Sequence, residues 1–342
     1  MRRTIILLVA IAMASCGPGE EQGPVTITLM AHDSFADAVT EETFAAFTAQ
    51  TGHQVEVLAA GDAGAMVNQA ILTVDNPVAD VIFGVDDTFL TRAVAGGILD
   101  SYVSDQLEVV QEGLRSEGDL VTPIDYGDVC INYDKAAFVE TPAPSTLDDL
   151  LLPEYRGQLV VEDPSTSSPG LAFLLATIDR FGEGGWQEYW EGLKTNDILV
   201  APGWTEAYYG EFSGGAGEGD RPLVVSYASS PPAEVIFSET PIDEAPTGVI
   251  TDGCYRQVEY AGVLSGTEVA EPAGQLIDYM LSTPFQDTIP LTWFVFPAST
   301  EATLPSEFVS HTAIPENPVQ MDPDLIEDNR QTWLEQWADI LR

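Results

Sequence analysis

The first hundred residues alternate between strand-like and helix-like patterns of apolar positions. Short, largely apolar runs predict strands at 25–30, 54–58 and 79–83, and apolar side chains at helical spacing predict helices at 40–50 and 64–74. Such an alternation predicts a parallel sheet with helices on both faces. Ligands of these sheets bind in the loops at the carboxyl ends of the strands.

A second succession of strands and helices begins after residue 127. It runs from a predicted strand at 129–133 to a predicted strand at 222–227, and the chain returns through a strand at 255–260. A helix at 270–281 and an amphipathic helix from Pro323 complete the pattern. The repetition predicts an α/β protein with two lobes.

The two successions also predict how the chain divides. We expect one lobe to comprise 25–127 with about 258–342, and the other to comprise 128–257. Two crossing strands, near 127–133 and 254–260, would join them. A cleft between lobes connected in this way opens and closes as a hinge around a ligand.

The amino terminus has the pattern of an export signal. Arg2 and Arg3 precede an apolar run at 5–12 that is far shorter than the roughly 20 residues of a membrane-spanning helix. Small residues stand directly before Cys16, which resembles the lipobox of bacterial lipoproteins. We therefore predict a signal peptide at 1–15, a lipid on Cys16, and a tether at 16–24. The mature protein would lie in the periplasm or on the outer cell surface, anchored only by its lipid.

The charge balance excludes several classes of partner. The chain has 12 basic and 55 acidic side chains and a formal net charge of -43. Nucleic acids and anionic lipid surfaces are bound through clusters of Lys and Arg, so neither is an expected partner. A hydrophobic fraction of 45% supports a folded core rather than disorder.

Two cysteines remain after Cys16. Cys130 and Cys254 would lie on or beside the crossing strands, in a compartment where disulfides persist. A disulfide between them is the prediction, and two buried free thiols are the alternative. Neither has His or Cys neighbours at metal-ligand spacing, so no metal site is predicted.

The sequence carries little sign of catalysis. Its histidines are His32, His53 and His311, and no Gly-x-Ser-x-Gly turn precedes a helix. His32 follows the first strand, where a ligand contact is expected. We therefore predict no catalytic residue and no enzyme, with a secreted hydrolase that uses His32 as a remote alternative.

Three loops after predicted strands combine aromatic and small hydroxyl residues. They are Asp-Pro-Ser-Thr-Ser-Ser-Pro-Gly at 163–170, Gly-Trp-Thr-Glu-Ala at 203–207, and Tyr-Ala-Ser-Ser-Pro at 227–231. Pro169 suits the first position of a helix. Trp204 and Tyr227 offer flat π faces to an aromatic or cationic ligand.

At these loops the sequence resembles a known family. His-Asp-Ser-Phe at 32–35, Asp-Tyr-Gly at 125–127, Gly-Trp-Thr-Glu-Ala-Tyr at 203–208 and Ser-Tyr-Ala-Ser-Ser-Pro at 226–231 resemble motifs of the thiamine-binding substrate-binding proteins of ABC importers. These proteins have the type II periplasmic-binding-protein fold, which also includes iron(III) and polyamine receptors. The resemblance covers about 25–342.

The resemblance implies a function and a set of ligand contacts. A monomer would capture thiamine, or one of its phosphate esters, without a cofactor and deliver it to an ABC permease. The implied contacts are His32, Asp62, Ala63, Ser167, Ser168, Trp204, Tyr227, Ala228, Ser229, Ser230, Trp293 and Phe294. Two other ligands stay open. Tyr208 and Tyr209 resemble the tyrosine pair of iron(III) receptors, and Asp62 with the aromatic residues would suit a polyamine.

Overall fold

The computed structural model describes residues 23–116, 118–238 and 240–342. The predicted signal peptide, Cys16 and all but the last two residues of the predicted tether lie outside this range. In the described part of the chain, no helix is both long enough and apolar enough to cross a bilayer.

The strands form one continuous hydrogen-bonded path. They are β1 (Thr26–Ala31), β2 (Gln54–Ala59), β3 (Val81–Asp86), β4 (Leu99–Asp100), β5 (Thr122–Asp134), β6 (Leu159–Glu162), β7 (Leu199–Ala201), β8 (Leu223–Tyr227), β9 (Thr247–Leu264) and β10 (Phe296–Pro297). Their order is β2-β1-β3-β9-β5-β8-β6-β7, with β4 on β9 and β10 on β5. The group β2-β1-β3 pairs in parallel, and so does β8-β6-β7. We call the elements around β1–β3 the first lobe and those around β6–β8 the second lobe.

Two long antiparallel strands connect the lobes. β5 and β9 pair from Thr122 opposite Ala261 to Asp134 opposite Thr247. One end of β9 pairs with β3 in the first lobe, and the far end of β5 pairs with β8 in the second. The two predicted crossing strands are confirmed, although each is part of a longer strand.

The predicted disulfide is also confirmed. Cys130 in β5 is bonded to Cys254 in β9. The pairing of these strands is irregular here, because Val129 lies opposite Tyr255 while Ile131 lies opposite Ile250. The disulfide therefore ties a bulge of β9 to β5. In the chain-entropy model, closing a loop across a separation of 124 positions stabilises the fold by up to about 4 to 5 kcal/mol.

Helices alternate with the strands of each parallel group and pack against them, as the alternating pattern predicts. They are α1 (Asp33–Ala38), α2 (Ala45–Thr51), α3 (Ala63–Leu72), α4 (Leu90–Ala95), α5 (Ser168–Phe181), α6 (Gly185–Thr195), α7 (Pro231–Ile236), α8 (Ala270–Leu281), α9 (Thr283–Gln286), α10 (Ile289–Thr292), α11 (Ser306–His311) and α12 (Pro323–Leu341). The predicted helix at 40–50 is a 3-10 turn, Glu41–Phe44, followed by α2. It ends at Gly52 with φ of 80°, the left-handed cap that favours glycine.

The terminal helix α12 contacts both lobes. Trp337 lies 5.7 Å from Trp190 of α6, measured between ring centroids, in the second lobe. Arg330 lies over the ring of Phe89, next to α4 in the first lobe. The predicted division of the chain between the lobes stays a prediction, and α12 spans it.

Candidate ligand-binding site

A cavity of about 620 Å³ lies between the lobes. Both lobes and the connecting strand β9 contribute to its lining. The exposed lining residues mark its mouth, where Asp37 faces solvent and where Tyr209 and Phe237 are 45% and 68% exposed. The predicted contacts that line it are His32, Asp62, Ala63, Ser168, Trp204, Tyr227, Ser230, Trp293 and Phe294.

The second lobe supplies an aromatic wall, formed by Trp204, Tyr208, Tyr209, Tyr227 and Phe237. The Trp204 ring stacks on Tyr208 with 5.0 Å between centroids and 18° between planes. Its Nε1 donates a hydrogen bond to Ser226 Oγ at 2.9 Å, which sets the ring's orientation. A π-helical turn, Glu206–Glu211, follows Trp204 and holds the two tyrosines at the cavity. Such turns are frequent at functional sites.

Tyr227 reaches the cavity because a glycine gives it room. It ends β8, and its hydroxyl donates to Gln257 Oε1 of β9 at 3.2 Å. A Cβ atom at Gly127 of β5 would lie only 2.8 Å from the Tyr227 ring. The Asp-Tyr-Gly sequence of the hinge strand therefore permits the aromatic ring to lie against the strand.

The first lobe and β9 supply a charged wall, formed by His32, Asp37, Asp62 and Glu259. His32 caps the start of α1, where its Nδ1 accepts from Phe35 N at 3.2 Å. Its Nε2 then faces Glu259 Oε1 at 3.4 Å. Gly84 has φ of 91° and leaves room for the imidazole, because a Cβ atom there would clash with the His32 ring.

The pKa values in the charged wall respond to this contact. Burial has the largest single effect on the pKa of His32 and lowers it, but the charge and hydrogen bond of Glu259, with the charges of Asp62 and Asp86, together leave that pKa above its ordinary value. Burial raises the pKa of Glu259, but the charge and hydrogen bond of His32, with hydrogen bonds from Asp125 and Gln257, together leave that pKa below its ordinary value. Burial and the charge of Glu259 raise the pKa of Asp125, beneath the wall, well above its usual range. The contact between His32 and Glu259 therefore stabilises the charged form of each side chain.

Asp62 connects the two walls. It caps α3, and its Oδ1 accepts from Ala63 N at 2.8 Å. Its Oδ2 accepts from Trp204 N at 3.2 Å, across the cleft. A second hydrogen bond, from Gly64 N to Thr166 O at 2.9 Å, joins the lobes nearby. The lobes are therefore closed on each other at this rim.

Three predicted contacts are buried and do not line the cavity. Ser167 lies at the start of α5, close enough to Asp62 to affect the pKa of that carboxyl. Ala228 packs against the Cys130 and Cys254 side chains, and Ser229 is fully buried beside it. Direct ligand contacts by these three residues stay predictions.

Trp293 and Phe294 form the remaining side of the cavity. Trp293 donates its Nε1 to Asp125 Oδ2 at 3.0 Å. Phe294 has φ of 57° and lies 5.3 Å from Phe237 between ring centroids. A phenylalanine in this backbone region is strained, and such residues cluster at ligand sites.

Comparison with known proteins identifies the family. The family model for bacterial extracellular solute-binding proteins matches residues 76–329. The chain belongs to this family. A thiamine-binding periplasmic protein of Salmonella typhimurium is 30% identical over 318 residues, which cover 91% of this chain and 92% of the relative. One of Brucella suis is 28% identical over 341 residues, covering 98% and 96%.

Solved structures place this solute-binding protein among two-lobed receptors. A periplasmic thiamin-binding protein superposes with a TM-score of 0.83 at 26% identity, covering 93% of this chain and 96% of the other. Iron-bound HitA from Pseudomonas aeruginosa has a TM-score of 0.70 at 20% identity, covering 93% and 99%, and shows the shared fold. The predicted two-lobed periplasmic-binding-protein fold is confirmed.

Sequence analysis missed two important residues of this solute-binding protein. Glu259 stands in β9, where it and Gln257 are buried polar side chains among apolar and aromatic buried neighbours. A buried acid in such a strand was the available signal. Glu234 lies in α7, which the pattern did not predict, and accepts from Tyr208 at 2.7 Å.

Proposed function

We propose that this solute-binding protein is an extracytoplasmic receptor for thiamine that delivers it to an ABC permease. The observation that carries the proposal is the pairing of an aromatic wall with a charged wall in one interlobe cavity. Thiamine is an aromatic cation, so it needs both. The relatives named as thiamine-binding support the same ligand.

The two walls match the two demands of this ligand. Trp204 and Tyr227 would cover its rings, because aromatic faces attract both π systems and organic cations. Glu259 and Asp62 would balance its positive charge and accept from its amino group. Ser168 and Ser230 would contact the hydroxyethyl end. None of these contacts requires covalent chemistry, so the proposed receptor is not an enzyme.

Transport requires that the lobes open and close. The hydrogen bonds of Asp62 with Trp204 N and of Gly64 N with Thr166 O would form on closure. The connecting strands β5 and β9 would act as the hinge. A monomer held at the membrane by a lipid on Cys16 would present the closed, loaded form to the permease.

A linear polyamine is the second candidate. Four carboxylates line the cavity, those of Asp37, Asp62, Glu234 and Glu259, and several acids suit a ligand with several ammonium groups. The tyrosine pair considered for iron(III) has a different role in the structure. Tyr208 donates its hydroxyl to Glu234 and stacks on Trp204, so it builds the aromatic wall.

Calorimetric titration of the purified mature protein distinguishes these ligands. Thiamine, spermidine and ferric citrate would be titrated separately under the same conditions. We expect saturable heat with thiamine at a stoichiometry of one. Saturable heat with spermidine or ferric citrate, and none with thiamine, would replace the proposed ligand.

A further inference from the structure

A buried glutamine lies behind the cavity, between its two walls. Gln257 of β9 is 1% exposed and does not line the cavity. Its Oε1 accepts from the Tyr227 hydroxyl at 3.2 Å, and its Nε2 donates to Glu259 Oε1 at 3.3 Å. One amide therefore contacts the aromatic wall with its oxygen and the charged wall with its nitrogen.

The pairing of the strands explains how these three side chains meet. Gln257 and Glu259 are two residues apart in β9, so their side chains lie on the same face of the strand. Gly127 of β5 pairs opposite Gln257. Because this glycine has no side chain, the Tyr227 ring lies where a Cβ atom of residue 127 would be only 2.8 Å away. The Tyr227 side chain thus reaches from β8 across β5 to the amide in β9.

The carboxylate decides which way the amide points. A carboxylate only accepts hydrogen bonds, whereas a glutamine amide has donors at one end and an acceptor at the other. Glu259 therefore takes the Nε2 end of Gln257, which leaves Oε1 for the Tyr227 hydroxyl. Gln257 and Glu259 are both buried, and a buried polar group without a partner is costly. The amide is consequently held in this one orientation.

This chain of hydrogen bonds also crosses the hinge. Tyr227 ends β8 of the second lobe, whereas Glu259 pairs opposite Asp86 of β3 in the first lobe. Gln257 stands between them in a strand that connects the lobes. The separation between the phenol ring and the carboxylate therefore depends on a residue that does not line the cavity.

We propose that Gln257 is a positioning residue of the binding site, which holds the Tyr227 ring and the Glu259 carboxylate at the separation that an aromatic cation requires. The proposal rests on the proposed thiamine function and adds a residue that acts through two others. Such a ligand uses a π face and a carboxylate together, and both contacts depend on distance and orientation. Loss of the amide should therefore weaken binding without removing any group from the cavity lining.

The experiment removes each partner of one hydrogen bond and measures thiamine binding by calorimetry. Q257M keeps the length of the side chain but has no amide, and we expect about tenfold weaker binding. Y227F keeps the ring but has no hydroxyl, and we expect about fivefold weaker binding. The double variant Y227F/Q257M should lie within about twofold of Q257M, because both substitutions break the same hydrogen bond.

A second buried amide provides the matched control. Asn196 is 8% exposed, does not line the cavity, and donates its Nδ2 to Leu150 O at 2.7 Å and to Leu152 O at 2.9 Å. N196L should lower the temperature of thermal unfolding and retain the wild-type affinity for thiamine.

Several outcomes would overturn the positioning role of Gln257. They are wild-type affinity in Q257M or in Y227F, losses that multiply in the double variant, and an equal loss of affinity in N196L. Because Y227F is the milder substitution, it decides the question even if Q257M fails to fold. Absence of thiamine binding to the wild-type protein would instead refute the proposed function.

Discussion

The two walls of the cavity are built on different principles. The aromatic wall consists of side chains that lie at the end of β8 or follow β7 and β8 along the chain, and local contacts such as the stacking of Trp204 on Tyr208 orient them. The charged wall joins residues from opposite ends of the chain, with His32 after β1 and Glu259 in β9. One wall is therefore largely a local product of sequence, and the other depends on how distant strands pair.

The walls also differ in what holds their groups. Rings of the aromatic wall pack edge to face and in stacks, which tolerates small shifts. Buried charges need partners with good geometry, because an unpaired one is expensive. A small change in the charged wall should consequently affect both binding and stability, whereas truncation in the aromatic wall should act mainly on binding.

The largest expected effect is on the aromatic wall. W204A removes the ring that stacks on Tyr208, and we expect it to weaken thiamine binding about a hundredfold, since a desolvated aromatic contact with a cation contributes about 2 to 3 kcal/mol. W204F keeps an aromatic ring at this position and should lose much less affinity for thiamine. Calorimetric affinities measure both, and wild-type affinity in W204A would remove Trp204 from the site.

The matching test of the charged wall is E259Q. We expect about thirtyfold weaker thiamine binding, because hydrogen bonds and contacts with a buried charge contribute about 1.5 to 3 kcal/mol. The loss should persist in high salt, since buried charges are screened little. The exposed substitution E112Q is the control. Equal affinities of E259Q and E112Q would show that the ligand's charge is balanced elsewhere.

Substitutions of Asp62 test the hydrogen bond between the two walls. D62A removes the acceptor of Trp204 N across the cleft and should weaken binding about tenfold, the equivalent of about 1.4 kcal/mol. D62N retains an oxygen acceptor and should fall between D62A and the wild type. An unchanged affinity in D62A would mean that closure does not use this hydrogen bond.

The smallest effect concerns the stability of the ligand-free protein. H32N keeps a cap for α1 but removes the contact with Glu259. We expect it to lower the free energy of unfolding by about 1 kcal/mol near pH 5.5, the low end for a buried group that loses a partner, because Gln257 still donates to that carboxylate. Because the His32 pKa is raised above 6.5, this contribution should disappear as pH rises through the raised value. Because the Glu259 pKa is lowered below 4.5, the stability contribution of this contact should also disappear as pH falls through that lowered value.

Urea unfolding of wild type and H32N at pH 5.5 and pH 8.5 measures this dependence. The difference between the proteins should be smaller at pH 8.5. E259Q is the control, because H32N should add little further destabilisation to it. A difference that grows from pH 5.5 to pH 8.5 would contradict the pairing of His32 with Glu259.

The local pattern of apolar and polar residues was sufficient to predict most of the fold. The strands at 54–58 and 79–83 and the helix at 270–281 could be predicted because periodicity reflects which face of an element is buried. Short elements were less predictable. Helices α1, α4 and α7 have six residues each, too few for a period of 3.6 to stand out. Glu234 was missed with α7.

The candidate site divides in the same way. Trp204, Tyr227 and Ser230 could be placed at the cavity from sequence, because residues just after parallel strands lie at one edge of a sheet. The partners of His32 and Asp62 could not, because they depend on the pairing of β9 with β3 and on the closure of one lobe against the other. Strand register and lobe packing are long-range interactions. Strand pairing places Glu259 next to the His32 imidazole, and the packing of the lobes places Trp204 N next to the Asp62 carboxylate.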